Sequence, residues 1–193
     1  MRIIGGRDRG RRLRAPRGFR TRPTGERVRE ALFDILGPAV VGARALDLFA
    51  GSGAVGLEAL SRGAARVVFV ERDPAALRAL RANLAALGAS REAARVVADD
   101  VVAALGELGR LEAPFDLVFL DPPYTSGLAA RALAALGPAG VCRPGAEVVV
   151  QHSTRSPLPA VSGLLGHRRA RRFGDTALTF LRVAEYTPGG SRP

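Results

Sequence analysis

From Arg44 to Gln151, short apolar runs alternate with longer amphipathic stretches, and that alternation leaves few folds open. The runs 44–49, 66–71, 95–98, 115–120 and 146–151 read as strands; the last two are nearly unbroken apolar segments, as expected where both faces of a sheet are covered. Between them lie helical patterns through Leu57-Glu58-Ala59-Leu60 and over 74–87, 101–108 and 128–136. Asp73-Pro74 supplies a cap and a first-turn proline to the second of these, whose Leu77, Leu80, Leu84 and Leu87 form one stripe ending at Gly88. Five strands joined by helices require right-handed crossovers and a parallel sheet with helices on both faces. Two further segments, 166–173 and 176–183, are joined by Gly174-Asp175 and read as an antiparallel hairpin. Upstream, Val28, Leu32, Ile35 and Leu36 share one face of a helix over 24–36 that Gly37-Pro38 ends. The expected architecture is therefore α/β, a mostly parallel seven-stranded sheet closed by a C-terminal hairpin.

In such a sheet, ligands bind beyond the carboxyl ends of the strands. The first end reads Asp47-Leu48-Phe49-Ala50-Gly51-Ser52-Gly53-Ala54-Val55-Gly56, with glycines spaced as in a dinucleotide loop, and Glu71 stands twenty residues after Gly51. A carboxylate there suits a pair of ribose hydroxyls. The loop alone does not separate a nicotinamide dehydrogenase from an S-adenosylmethionine enzyme, but Asp47 favours the second. Its negative charge suits a methionyl ammonium and is awkward beside a pyrophosphate. Asp99-Asp100 follows the third strand; Asp100 is placed to accept an adenine amine and equally to cap the helix after it.

Asp121-Pro122-Pro123-Tyr124 follows the fourth strand. An exocyclic base amine is a poor nucleophile because its lone pair is delocalised into the ring. The Asp121 carboxylate and the Pro122 carbonyl each offer an acceptor for one amine hydrogen, which favours a pyramidal nitrogen. Pro123 stiffens the loop by holding Pro122 extended, and Tyr124 offers a face on which an extruded base stacks. These groups position and polarise, with no covalent step.

Charge points to the partner. The chain of 193 residues carries a formal +11, and residues 1–30 hold eleven arginines against three acids. A second cluster is Arg168, Arg169, Arg171 and Arg172. Localised cationic charge favours a polyanion, because phosphate contacts release condensed counterions. Cys142 stands alone, and His152 and His167 lack metal-ligand spacing, so neither a disulfide nor a metal is expected. No apolar run has membrane-span length and the N-terminus has no signal-peptide core, so a cytoplasmic protein is expected.

These motifs resemble class I S-adenosylmethionine methyltransferases of the Asn/Asp-Pro-Pro-Tyr/Phe group, and more closely the RsmD-type 16S rRNA guanine-N2 methyltransferase family. The resemblance spans nearly the whole chain. It includes Arg2-Ile3-Ile4-Gly5-Gly6, Arg22-Pro23-Thr24 with Arg27-Val28-Arg29-Glu30, the loop 47–53 with Gly56-Leu57-Glu58-Ala59-Leu60-Ser61-Arg62, segment 115–124 and Gly174-Asp175-Thr176-Ala177-Leu178. It implies a Rossmann-like class I fold and methyl transfer to N2 of one guanine in 16S rRNA, with the assembled small subunit as substrate and a monomeric enzyme. Asp47, Gly51, Ser52, Gly53, Glu71 and Asp100 would hold S-adenosylmethionine. Asp121 and Pro122 would hold the amine beside Pro123 and Tyr124, and Arg22, Thr24 and Arg27 would border the RNA. Asp99 departs from the family pattern, which has glycine before the adenine-contacting aspartate. The expected organisation is a basic arm and helix over 1–37, a donor-binding domain over 38–186 and a frayed tail over 187–193. Rival readings are a DNA adenine-N6 or protein glutamine-N5 methyltransferase, whose Asp/Asn-Pro-Pro-Tyr loop is the same, a nicotinamide dehydrogenase and a non-enzymatic RNA-binding assembly protein.

Overall fold

The computed structural model describes residues 1–16, 24–112, 114–123, 127–156, 158 and 164–185. The expected tail 187–193 lies outside them. Helix α1 (Thr24–Leu36) leads through a short 3-10 turn into β1 (Arg44–Leu48), α2 (Ala54–Ser61), β2 (Arg66–Val70), α3 (Pro74–Leu87) and β3 (Ala94–Val97). Then follow α4 (Val101–Leu111), β4 (Phe115–Leu120), α5 (Leu128–Ala139), β5 (Cys142–Ser153), β6 (Leu165–Phe173) and β7 (Thr176–Val183). The seven strands form one sheet in the order β3-β2-β1-β4-β5-β7-β6. The first five are parallel; β7 runs antiparallel between β5 and β6.

Alternation decides which side each strand residue serves. Ala45, Val67, Phe69, Leu117, Phe119 and Val149 face the layer that holds α1, α2 and α3. Leu46, Leu48, Val68, Val70, Val118, Leu120 and Val148 face α4 and α5. Asp73 caps α3 by accepting the Ala76 N–H at 2.8 Å, and Gly88 ends that helix in the left-handed region at φ 64°. Both ends agree with the sequence reading. Other boundaries moved. α5 runs on to Ala139 with Pro138 in its last turn, and β5 begins at Cys142, with a register shift against β4 between Phe115 and Leu117. Arg143 and Pro144 look like loop residues locally, but pairing with β4 draws them into the strand.

The first sixteen residues dock on the domain as a hairpin, bridged at Arg2 and Arg12, that buries Ile3 and Leu13. Its anchor is Glu58 on α2, which is fully buried. One carboxylate oxygen accepts the Ile4 N–H at 2.8 Å; the other accepts the Gly5 N–H at 2.7 Å and the Arg62 guanidinium at 2.8 Å. Arg29 of α1, also buried, lies 3.5 Å from the same carboxylate and donates to the Arg2 carbonyl. A single side chain thus ties the amino terminus, α1 and α2 together. Removing one partner of a buried ion pair costs about 3–5 kcal/mol, because the other charge is stranded. Glu58→Ala should therefore lower the melting temperature by on the order of 10 °C and expose residues 1–16 to limited proteolysis. A wild-type melt and cleavage pattern would show that the hairpin is held by apolar packing alone.

Candidate active site

Residue 47 of β1 is level with Phe69 of β2 and Phe119 of β4, so Glu71 and Asp121 emerge at the same height on either side of β1. Three carboxylates thereby converge on the carboxyl edge of three adjacent strands. Asp47 is buried, and one of its oxygens accepts the Gly56 N–H of α2 at 2.9 Å. Desolvation pushes its carboxyl up to about 7; the Gly56 hydrogen bond pulls the other way, and repulsion from Asp121 and Glu71 raises it further. A nearby cation favours ionisation of such a carboxyl and a nearby anion disfavours it.

The loop between β1 and α2 is shaped by its backbone. Phe49 holds a left-handed φ of 64°, a strained value for a residue with a side chain and a mark of functional turns. Gly51 (φ 58°) has open space where a Cβ would project, so its backbone is free to meet a ligand. Gly53 (φ 84°) abuts Leu80 of α3 so closely that a methyl group would collide with it. Glu71 braces the loop from β2. One of its oxygens accepts the Gly51 N–H at 2.7 Å; the other accepts the Arg72 and Asp73 N–H groups at 2.8 Å each. Ser52 is half-buried, and its carbonyl accepts an N–H of Asn83 at 2.9 Å.

Asp100 caps α4 by accepting the Val102 N–H at 3.0 Å, and its other oxygen pairs with Arg72 at 3.2 Å. Asp99 is exposed and accepts the Asp100 N–H at 2.7 Å. Asp121 opens to solvent while Pro122 is buried beside it. Although the residue as a whole is exposed, desolvation of its carboxyl pushes Asp121 up to about 7, against a hydrogen bond from Gln151 that lowers it. Pro123 is exposed. Tyr124 and Arg22 lie outside the described residues, as does the side chain of Thr24, the first residue of α1. Arg27 is exposed on α1.

The structure thus brings Asp47, Gly51, Ser52, Gly53, Glu71 and Asp121 to one edge, with Asp100 at the end of β3 beyond Glu71. Sequence reasoning gave no role to Asn83 or Gln151. Gln151 follows Val150, which pairs with Leu120, so it stands beside Asp121 through register alone. The only local signal for either residue was an amide at a position otherwise apolar or at a strand end.

A parallel 3-2-1-4-5 core with an antiparallel strand inserted before the edge, a glycine loop after β1 and Asp-Pro-Pro after β4 define a Rossmann-like fold of the class I methyltransferase type. The family model described as "Conserved hypothetical protein 95" matches residues 1–182, and the chain belongs to that family. It is 41% identical over 177 residues to Ribosomal RNA small subunit methyltransferase D of Escherichia coli K12, covering 92% of this chain and 87% of that protein. The Haemophilus influenzae protein of the same name is 40% identical over 158 residues, 82% of this chain and 81% of its own length. The solved structure of yhhF from Escherichia coli superposes with a TM-score of 0.84 at 39% identity, covering 96% of this chain and 99% of that one.

The raised Asp47 carboxyl makes a stability prediction. Between about pH 4 and 7 the folded chain keeps a proton that the unfolded chain, at its ordinary 3.8, has released. Stability therefore falls as pH rises through that window, and the full cost applies above it. Asp47→Asn keeps an acceptor for Gly56 and removes the charge. Melting of the ligand-free protein at pH 8 should rise by a few degrees relative to wild type, with little change near pH 4. Equal shifts at both pH values would mean that folding does not raise the Asp47 carboxyl.

Proposed function

We propose that this chain transfers a methyl group from S-adenosylmethionine to the exocyclic N2 of a guanine in 16S rRNA, acting in the cytoplasm as a monomer on the assembled small subunit. The observation that carries the reading is the convergence of Asp47, Glu71 and Asp121 around a glycine loop with an open backbone face. A methyl donor of this class carries a sulfonium and an ammonium, and a floor of carboxylates suits both. A dinucleotide would place a pyrophosphate over the same charges, which argues against a dehydrogenase. Family membership and the names of its relatives support an RNA substrate.

The residues fit the donor. Gly51 leaves the backbone accessible and Gly53 lets α3 pack close behind the loop; Asp47 faces the methionyl end, Glu71 the ribose and Asp100 the adenine. Bound there, the donor supplies an electrophilic methyl group on positively charged sulfur. The rest is the chain's own work. The Asp121 carboxylate accepts one amine hydrogen, and the Pro122 carbonyl, on a loop stiffened by Pro123, accepts the other. With its carboxyl near 7, Asp121 is also matched to take the proton that the alkylated nitrogen sheds. Tyr124 completes the site by stacking on the base. Arg22, Thr24 and Arg27 border the RNA.

The decisive experiment places the methyl group. Small subunits from a strain lacking the corresponding gene are incubated with labelled donor and the protein, then digested and resolved by mass spectrometry. N2-methylguanosine in 16S rRNA is expected. Label in adenine of DNA or in glutamine of a protein would replace the proposed acceptor.

Asp121→Ala should lower kcat by about 10²–10³-fold while donor binding persists. In the wild type, kcat/KM should climb with pH up to about 7, where Asp121 loses its proton, and then level off. Asp121→Asn, which retains an acceptor oxygen, should keep residual activity without that acid limb. A persisting limb would assign it to another group.

Arg12 and Arg14 stand exposed on the docked hairpin. Replacing both by Gln should flatten the salt dependence of RNA binding by roughly 0.7–0.9 of a log–log slope unit per lost phosphate contact. An unchanged slope would confine these arginines to folding or solubility.

A further inference from the structure

Asn83 is a polar side chain inside an otherwise apolar stripe of α3, only 1% exposed. Its amide group donates to the Ser52 carbonyl at 2.9 Å and to the Arg14 carbonyl at 3.0 Å, and its oxygen accepts the Arg14 N–H at 2.8 Å. Both donor hydrogens and an acceptor site are thus in use. The two backbones it grips are of different kinds. Ser52 is the middle of the Gly51-Ser52-Gly53 loop, and Arg14 belongs to the basic hairpin, between the buried Leu13 and the arginines at 17, 20 and 22.

The neighbouring contacts make α3 a shared backing for both segments. One turn earlier on the helix, Leu80 closes against Gly53 of the loop. Near its end, the Ala86 carbonyl accepts the Arg11 guanidinium of the hairpin. A residue held on both sides by hydrogen bonds, with no water to replace them, is costly to leave half-satisfied. A shift of the Ser52 carbonyl on ligand binding therefore changes the bonds that hold Arg14. The same amide therefore links the position of one backbone to that of the other.

We infer that Asn83 is a positioning residue that couples occupancy of the donor loop to the RNA-binding competence of the arginine-bearing hairpin. The inference rests on the methyltransferase reading above and adds a coupling between its two ligands. A loop set by the donor holds Arg12 and Arg14 in place, and polyanion bound at the hairpin tightens the donor by the same factor, because linkage is reciprocal. One buried amide bonds the backbone of the donor loop on one side and that of the hairpin on the other.

The test uses the full chain, S-adenosylhomocysteine as the donor-site probe and a fluorescein-labelled single-stranded RNA oligonucleotide as the polyanion. In the wild type, saturating S-adenosylhomocysteine should tighten RNA by about 5-fold or more and slow hydrogen exchange at the Arg14 amide, which donates to the Asn83 oxygen. In Asn83→Ala, each probe should still bind alone within several-fold of wild type, while the 5-fold linkage and the Arg14 protection both vanish. A purely structural role would weaken both affinities and leave their ratio intact. That outcome, or linkage that survives in the variant, overturns the inference. If Asn83→Ala does not fold, the wild-type exchange measurement decides, and an Arg14 amide indifferent to S-adenosylhomocysteine overturns it. Failure of S-adenosylhomocysteine to bind the wild type at all would instead overturn the methyltransferase reading; binding without linkage overturns only the coupling.

Discussion

The hydrogen bond between the buried Asp47 carboxylate and the Gly56 N–H is the constraint on which the site depends. It joins the end of β1 to the first turn of α2 and so fixes the chain reversal between them, including the left-handed Phe49 and the exposed backbone of Gly51. The same arrangement has a cost. A carboxylate held out of water beside Glu71 and Asp121 resists ionising near neutral pH. A cation placed beside it would favour the ionised form.

Much of this was legible in the sequence, for reasons that differ from element to element. β1 to β5 and the helices between them follow from periodicity, and α3 from its cap, its proline and Gly88, all of which are local signals. Gly174-Asp175 announced the β6–β7 turn in the same way. The placement of Asp47, Glu71 and Asp121 followed from the rule that parallel strands present their carboxyl ends together. What stayed hidden depends on distant partners. Glu58 looks like an ordinary helix-surface acid until residues 4 and 5 and Arg29 are folded against it. Asn83 sits 69 residues from the hairpin backbone it holds. The early start of β5 likewise needs β4 beside it, because Arg143-Pro144-Gly145 has no strand character of its own.

The basic amino-terminal segment shows how a local reading of charge misses architecture. A run of arginines suggests a solvated arm, yet residues 1–16 are docked through Ile3, Leu13, Glu58 and Asn83. Docking turns diffuse positive charge into a surface of fixed geometry. Arg29 serves the interior and Arg11 the end of α3, while Arg9, Arg12 and Arg14 are among those facing outward. Net charge attracts a polyanion, but only fixed charges give it a register.

The two ends of the sheet complete the electrostatic logic. At the amino end, Arg44, Arg66 and Arg95 gather around Glu112, with Glu107 on Arg95, and the charges largely cancel. At the carboxyl end, Asp47, Glu71 and Asp121 form an acidic floor, while Arg27, Arg12 and Arg14 stand on the adjoining α1 and hairpin. Phosphates are drawn to the cationic elements and repelled by the floor. Under the proposed function, a nucleotide brought to this edge presents its base to the carboxylates and keeps its phosphate outside. A guanine is suited to that boundary, because its exocyclic amine meets carboxylate oxygens as a donor. The same field that recruits RNA thus orients the nucleotide, before any base-specific contact is made.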